Sequence, residues 1–369
     1  MSAHDLRGRI LTADGWREGA IRFDGRVREI VSATLAQDEQ HRRIIPGFID
    51  LHVHGAAGVD IMEGGNSALT VARAHARHGT TALLGTTMTA PEAEIEIALL
   101  GLGHAIAEPG TRGGARILGV HLEGPFISEQ KLGAQPPAVL RATRELIERF
   151  STLAPIRVLT IAPEIPGHLE MISAMAAMGI RVQLGHSAGS YEEGLAALQA
   201  GAAGFTHLFN AMSAFDHRQP GMAAVALAHA EYAELIPDLI HVHPGAIRAA
   251  LRAIPKLYCV TDATAATDMP DGEYPLGSQR VHKCLGCVRL ASGSLAGSAL
   301  TMDQALRNLV SLGMDVADAS QRLSAYPADY LGMTDRGRLR PGAWADIVVL
   351  DDELQVQQVF VEGEAIAPG

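Results

Sequence analysis

Eight short apolar, β-branched runs separated by Ala-rich stretches with three- and four-residue apolar spacing predict an α/β protein, a (β/α)8 TIM barrel. Strand-like segments at both ends add a small β-sandwich domain built from both chain termini, which assigns residues 1–45 and 337–369 to the sandwich and 46–336 to the barrel. Composition bounds the class further. A chain of 369 residues, 47% hydrophobic and 19% charged, can bury a substantial core, and its Gly 39 and Pro 18 follow no three-residue period. Disordered and collagen-like readings are excluded.

The barrel strands read in order as IIPGFIDLH (44–52), TTALLGT (80–86), RILGVHL (116–122), IRVLTIA (156–162), IRVQLGH (180–186), AGFTHLF (203–209), ELIPDLIHV (234–242) and KLYCVTD (256–262). Helical candidates between them, SALTVARAHARHG, AVLRATRELIERF, GHLEMISAMAAMG and YEEGLAALQAG, often end at Gly, as helix C-termini do. The connection from the sixth to the seventh strand is long. In the amino-terminal flank, WREGAIRFDGRVREIV alternates apolar and polar residues around an Asp24-Gly25 turn, and GRLRPGAWADIVVLDDELQVQQVFVEGEAI repeats the pattern at the other end. Two flanks too small for independent sheets are expected to pair with each other beside the barrel. Residues 271–298 read as a hairpin excursion, followed by a last helix beginning near Leu300.

Thirty basic against forty-one acidic residues give a net charge of −11, which repels phosphodiester backbones, and no Lys/Arg run offsets it. Nucleic acid is therefore not expected as a partner, whereas a small phosphorylated ligand needs only one well-placed arginine. No secretory signal and no window of eighteen apolar residues is found, so no membrane association is expected and the cytoplasm is the predicted location. Three cysteines, Cys259, Cys284 and Cys287, suit a reducing compartment. Cys284 and Cys287 form a C-x-x-C without a second pair, so they read as hairpin residues rather than half a zinc ribbon.

Placed on the strands, the ionisable residues cluster at carboxyl ends: His52 and His54 on the first, Glu123 after the third, His186 after the fifth, His207 in the sixth, His241 in the seventh, Asp262 closing the eighth. In an eight-stranded barrel that face is where side chains from distant positions converge. Successive strand residues point to opposite faces, so His52 and His54 point the same way with Val53 between them. Imidazoles with one or two carboxylates suit a divalent metal, zinc first, with iron or manganese as alternatives. Asp262 ends an apolar strand where a carboxylate needs a partner, and reads as a general base that later acts as acid. His241, in LIHVHP, can polarise a carbonyl or fill the pocket wall, a role that falls less readily to His243.

The segments PGFIDLHVHG, GVHLEGPFIS, LGHSAGS, GFTHLFNAMS, LIHVHP, VTDATAATDMPDGEY and LAGSALTMDQAL resemble the N-acetylglucosamine-6-phosphate deacetylase family of the metal-dependent amidohydrolase superfamily, over residues 45 to 310. A terminal G-x-L-x-P-G-x-x-ADIVVLD pattern at 337–351 is shared superfamily-wide. The resemblance implies that Glu123, His186 and His207 hold the principal metal, and that His52 and His54 with Glu123 complete a second position, one or two ions per chain. It implies Asp262 as proton shuttle and His241 as the group on the acetyl carbonyl or the oxyanion. Asn210, Ala211 and the LAGS loop with Leu295 and Ala296 would contact the sugar, Arg218 the phosphate, and the chain would form a homodimer in which a neighbouring subunit reaches towards the phosphate. One departure stands out: where many members have histidine in K-x-G-x-H, this chain has Gln135, which can hydrogen-bond substrate but carries no charge.

The implied reaction is hydrolysis of an N-acetyl sugar phosphate in amino-sugar catabolism, with N-acetylgalactosamine 6-phosphate the alternative substrate. Cyclic amidases bridge two metals with a lysine on the fourth strand, and IRVLTIAPE has none. Adenosine-type deaminases place a Glu three residues beyond a strand-end His, whereas His207 is followed by Leu208, Phe209 and Asn210. A catalytically inactive sugar-binding barrel would have lost a ligand or the aspartate, and neither is missing.

Overall fold

Ile44 and Ile45, which open the first predicted barrel run, belong to a different sheet. The computed structural model describes residues 4–108, 110, 111 and 113–367, so the outermost residues of the predicted terminal domain, 1–3 and 368–369, lie outside the described residues. Its first four strands are β1 (His4–Thr12), β2 (Gly15–Phe23), β3 (Val27–Ser32) and β4 (Arg43–Pro46). Gly47 separates β4 from β5 (Phe48–Val53), and a Cβ there would lie 2.2 Å from the Thr81 side chain, so only glycine lets the backbone pass. The first barrel strand therefore starts at Phe48, four residues later than its apolar run.

After a small hairpin, β6 (Gly55–Ala56) with β7 (Val59–Asp60), the remaining barrel strands follow: β8 (Thr80–Thr87), β9 (Arg116–Glu123), β10 (Ile156–Ile161), β11 (Arg181–Leu184), β12 (Gly204–Phe205), β13 (Tyr232–Leu235) and β14 (Lys256–Cys259). All eight predicted strands are present. Six pair in parallel in the order β12-β11-β10-β9-β8-β5, and β13-β14 form a separate parallel pair. At the seams, the Leu208 amide bonds the Glu234 carbonyl, and a parallel bridge joins Val53 to Ala263. This is an α/β, TIM-barrel-like architecture. Every residue of β5 and β8 is buried, the mark of parallel strands covered on both faces.

Several strands end earlier than predicted, β12 and β13 by the most. β12 stops at Phe205 rather than 209, and β13 stops at Leu235 rather than 242, so His207 and His241 stand on loops beyond their strands. The run AVLRATRELIERF is helical only from Arg144, because the Thr143 hydroxyl accepts from the Leu146 amide as an N-cap while Leu140 bonds back to Pro125. The excursion after β14 is a three-stranded sheet, β15 (Gly272–Leu276), β16 (Gln279–Cys284) and β17 (Cys287–Arg289), in which Cys284 and Cys287 face each other across a two-residue turn. The helix expected near Leu300 runs from Met302 to Ser311 and is not the last: helices Val316–Leu323 and Ala325–Tyr330 follow.

The carboxyl end forms β18 (Ile347–Leu350), β19 (Val356–Val361) and β20 (Glu364–Ala365). The two ends pair through β4 and β18, in one sheet of order β20-β19-β18-β4-β1-β2-β3. Phe23 on β2 and Phe360 on β19 are four strands apart in that order, yet their rings meet edge to face at 5.0 Å. The sheet thus curls around a core of Ile10, Ile21, Phe23, Ile44, Ile347 and Phe360. A buried ionic group ties it to the barrel: Arg336 pairs with Asp346 and Glu362, and Glu362 also accepts from Arg116 on β9 at 2.6 Å. Removing the cation leaves two partly or fully buried carboxylates short of a partner, so Arg336→Met is expected to cost about 3–5 kcal/mol, read as a lower urea midpoint.

Candidate metal centre

Strand ends place the side chains. Glu123 is the last residue of β9, His52 lies near the end of β5 and His54 just past it, and His186, His207 and Asp262 stand two, two and three residues beyond β11, β12 and β14. His186, His207 and Asp262 all have positive φ, at 47°, 28° and 52°, which turns each side chain back over the barrel mouth. Such backbone strain in non-glycine residues persists where the surroundings over-determine it. All six residues are buried.

Glu123 sits at their centre. Its Oε1 is 2.9 Å from His207 Nε2, 3.1 Å from His186 Nε2 and 3.5 Å from His52 Nε2, and its Oε2 is 3.2 Å from His54 Nε2. Asp262 Oδ1 lies 3.4 Å from His52 Nε2 and 3.3 Å from His54 Nε2. Two groups emerge that share a border, Glu123 with His186 and His207, and His52 with His54 and Asp262.

Lone pairs show what the cluster can hold. His186 donates Nδ1–H to the Lys131 carbonyl at 2.8 Å, so in the neutral ring its Nε2 presents a lone pair to the Glu123 carboxylate and to His207 Nε2, 3.1 Å away. His52 likewise directs Nδ1 to Glu234, leaving Nε2 3.1 Å from His54 Nε2. Converging lone pairs and carboxylates repel unless a cation lies among them, so the donor set fits one or two divalent metals of the zinc, iron or manganese type. Burial alone would raise the Glu123 pKa, but the facing imidazoles, His52 foremost, hold it well below the usual carboxylate range.

Beside the cluster opens a cleft of about 210 Å³, which Gln135, Asn210, Ala211, His241, Leu295 and Gly297 help to line. On the cleft wall Gln135 joins the cluster to the chain beside it: Nε2 donates to Glu123 Oε2 at 2.6 Å, and Oε1 accepts from the Thr89 amide at 2.7 Å. The Asn210 amide donates to the carbonyls of His207 and Leu208. Two sequence candidates stand elsewhere. Arg218 lies exposed on a loop outside the cleft, and Ala296 is packed in the small β15–β17 core, with its neighbours Leu295 and Gly297 on the cleft wall. His243 caps the helix Pro244–Ala253 through Nδ1.

Sequence reading missed the residues that aim these groups. Asp238 accepts His241 Nδ1–H at 2.6 Å and caps the Ile240 and His241 amides, a role its three-residue spacing from His241 could have suggested. Burial opposes protonation of His241, yet the hydrogen bond and charge of Asp238 raise its pKa above the ordinary value. Glu164 accepts from the Ser187 hydroxyl and Ala188 amide and so holds the turn after His186. No local pattern marks Glu164 or the Gln135–Glu123 bond.

A model of the amidohydrolase family matches residues 43–366. The chain is 40% identical to an N-acetylgalactosamine-6-phosphate deacetylase of Escherichia coli O157:H7, over 98% of both chains. It is 36% identical to an N-acetylglucosamine-6-phosphate deacetylase of Lysinibacillus sphaericus, over 96% of this chain and 94% of that one. Among solved structures, an aspartate-to-alanine mutant of N-acetyl-D-glucosamine-6-phosphate deacetylase from Mycobacterium smegmatis, in complex with N-acetyl-D-glucosamine-6-phosphate, superposes with a TM-score of 0.92 at 32% identity and covers all of both chains.

Because Glu123 reaches both groups, Glu123→Gln is expected to strip metal from both, and His54→Asn to leave one equivalent. Elemental analysis of the purified variants decides this; a Glu123→Gln protein with wild-type metal content would refute it.

Proposed function

The chain belongs to the amidohydrolase family, and from that premise we propose that it hydrolyses the acetamido group of N-acetylglucosamine 6-phosphate to give glucosamine 6-phosphate and acetate. It is a metal-dependent amide hydrolase. The observation that carries the substrate is full-length similarity to deacetylases named for it, together with an open cleft beside the cluster. In this reading residues 1–45 and 337–369 are one unit, a curled sheet folded as a small sandwich, beside the catalytic barrel 46–336.

Glu123, His186 and His207 would hold the principal metal, zinc first, and His52 and His54 with Glu123 a second. Bound there, a divalent ion supplies Lewis acidity and makes water a nucleophile near neutral pH. Asp262 stays ionised: burial pushes its pKa up, and the charges and hydrogen bonds of His52 and His54 pull it below the ordinary value. Its carboxylate accepts a proton from the attacking water and returns it to the nitrogen as the C–N bond breaks, so one group serves both halves of the reaction. His241, its Nδ1–H held by Asp238, directs Nε2 into the cleft to donate to the carbonyl oxygen as charge develops there.

Asn210, Ala211 and Leu295 line the sugar side. Gln135 holds the Glu123 carboxylate with one N–H and would offer its second to substrate. Arg218 lies outside its own cleft, so its phosphate contact is proposed across a homodimer. The 40% identical relative favours a second reading, in which the substrate is the galacto epimer.

Acetate release from N-acetylglucosamine 6-phosphate, its unphosphorylated form and N-acetylgalactosamine 6-phosphate separates these readings. Fast release from the gluco phosphate supports the first, and release from the galacto phosphate alone sinks it. Asp262→Asn should lower kcat by about 10²–10⁴ with metal retained.

A pH profile tests His241. With Nδ1–H on Asp238, only the protonated ring carries a second N–H, which is present below its raised pKa and lost as pH rises through it. An alkaline limb in kcat is expected, displaced to lower pH in Asp238→Asn; an unchanged limb refutes the assignment.

A further inference from the structure

Glu234 is a fully buried carboxylate that the proposed reaction does not use. It stands on β13, faces the barrel interior beneath the metal cluster and does not line the cleft. Its Oε2 accepts from His52 Nδ1 at 3.0 Å and from the His207 amide at 3.3 Å. Its Oε1 accepts from Gln183 Nε2 at 3.1 Å and from the Tyr258 hydroxyl at 3.2 Å. An unpaired carboxylate would be costly at this depth, and four donors offset the cost.

Proximity alone would group Glu234 with His52 and His121 as a third place for a cation. Hydrogen bonding argues against it. His121 directs Nδ1–H to the Leu51 carbonyl at 3.1 Å and has Nε2 2.8 Å from the Thr160 hydroxyl, so no free lone pair is left for an ion. Burial also drives the His121 pKa down to about 4, which keeps the ring neutral.

We propose that Glu234 is a positioning residue that creates the second metal position. By accepting His52 Nδ1–H, it fixes the tautomer and rotation in which the His52 Nε2 lone pair faces His54, Glu123 and Asp262. The other three imidazoles of the cluster lack a carboxylate behind them: His186 leans on a backbone carbonyl, and Nδ1 of His54 and of His207 has no hydrogen-bond partner among the described residues. Glu234 meets the principal group only through the His207 main chain, so its influence falls on the His52 side. The proposal rests on the metal-dependent reading of this centre, but not on which sugar is hydrolysed.

The test measures metal without any sugar. Apo protein is titrated with Zn²⁺ against a competing chelator, for wild type, Glu234→Gln, His52→Asn and the double variant. Glu234→Gln presents an amide to groups of which only the Tyr258 hydroxyl can also accept, and is expected to weaken the second equivalent about 10–100-fold while leaving the first unchanged. In the His52→Asn background it should have no further effect, since the coupling runs through that ring. If Glu234→Gln does not fold, Glu234→Asp keeps the charge but shortens the reach and should give an intermediate loss. Wild-type affinity for two equivalents in a folded Glu234 variant, equal weakening of both, or a wild type that binds one ion at saturation overturns the proposal. Failure of acetate release with these affinities intact would instead refute the substrate reading alone.

Discussion

One buried carboxylate organises the centre. Glu123 draws four imidazole Nε2 atoms onto its two oxygens, three around Oε1 and one at Oε2, all buried at the floor of the cleft. Neither the acid nor the rings tolerate that burial alone, since each would lose its solvation without replacement. Their mutual approach, and the cation the donor set fits, are what make a polar barrel mouth compatible with a folded protein. The positive φ of His186, His207 and Asp262 follows from the same demand, because a strand that continued in extended form would carry these side chains away from Glu123.

Behind the converging groups lies a layer of hydrogen-bond partners that decides which nitrogen or oxygen each presents. Lys131 O does so for His186, Glu234 for His52, Asp238 for His241 and the Gln135 amide for Glu123. Below them, Thr160, Thr206, Gln183 and Tyr258 continue the network through the barrel interior. Asp50 belongs to it as well: burial lifts its pKa to about 7, and bonds from the Thr261 hydroxyl and amide hold it between the first and eighth strands. The barrel centre is thus polar where it supports chemistry, and the apolar packing lies mainly between strands and helices. Rigid placement of this kind is what the proposed proton transfers by one aspartate require.

Much of this was legible in the chain. The eight strands follow from apolar runs and helical spacing, and the metal cluster from ionisable residues recurring at strand ends. Strand limits were not legible, because a parallel strand buried on both faces is apolar throughout and its run does not say where pairing stops. Ile44 and Ile45 look like part of the first barrel strand until Gly47 is seen to pass against Thr81, and LIHVHP looks like strand although pairing ends at Leu235. The bonds of Gln135 to Glu123 and Thr89 were not legible either, because they join positions 12 and 46 residues apart.

The sequence by itself determined the fold class and the residue types at the mouth, since these depend on periodicity and on side-chain chemistry, both local properties, and its resemblance to a known family implied the reaction class. Only the tertiary structure decided which groups support which. Glu234 is 182 positions from His52, and Gln183 is 51 from Glu234, so no spacing rule joins them. Asp238 and His241 are close in sequence, yet whether their side chains meet depends on the loop that leaves β13 early. Hydrogen-bond partnership across a closed barrel is a matter of three-dimensional register, and register between distant strands is set by packing the whole barrel at once.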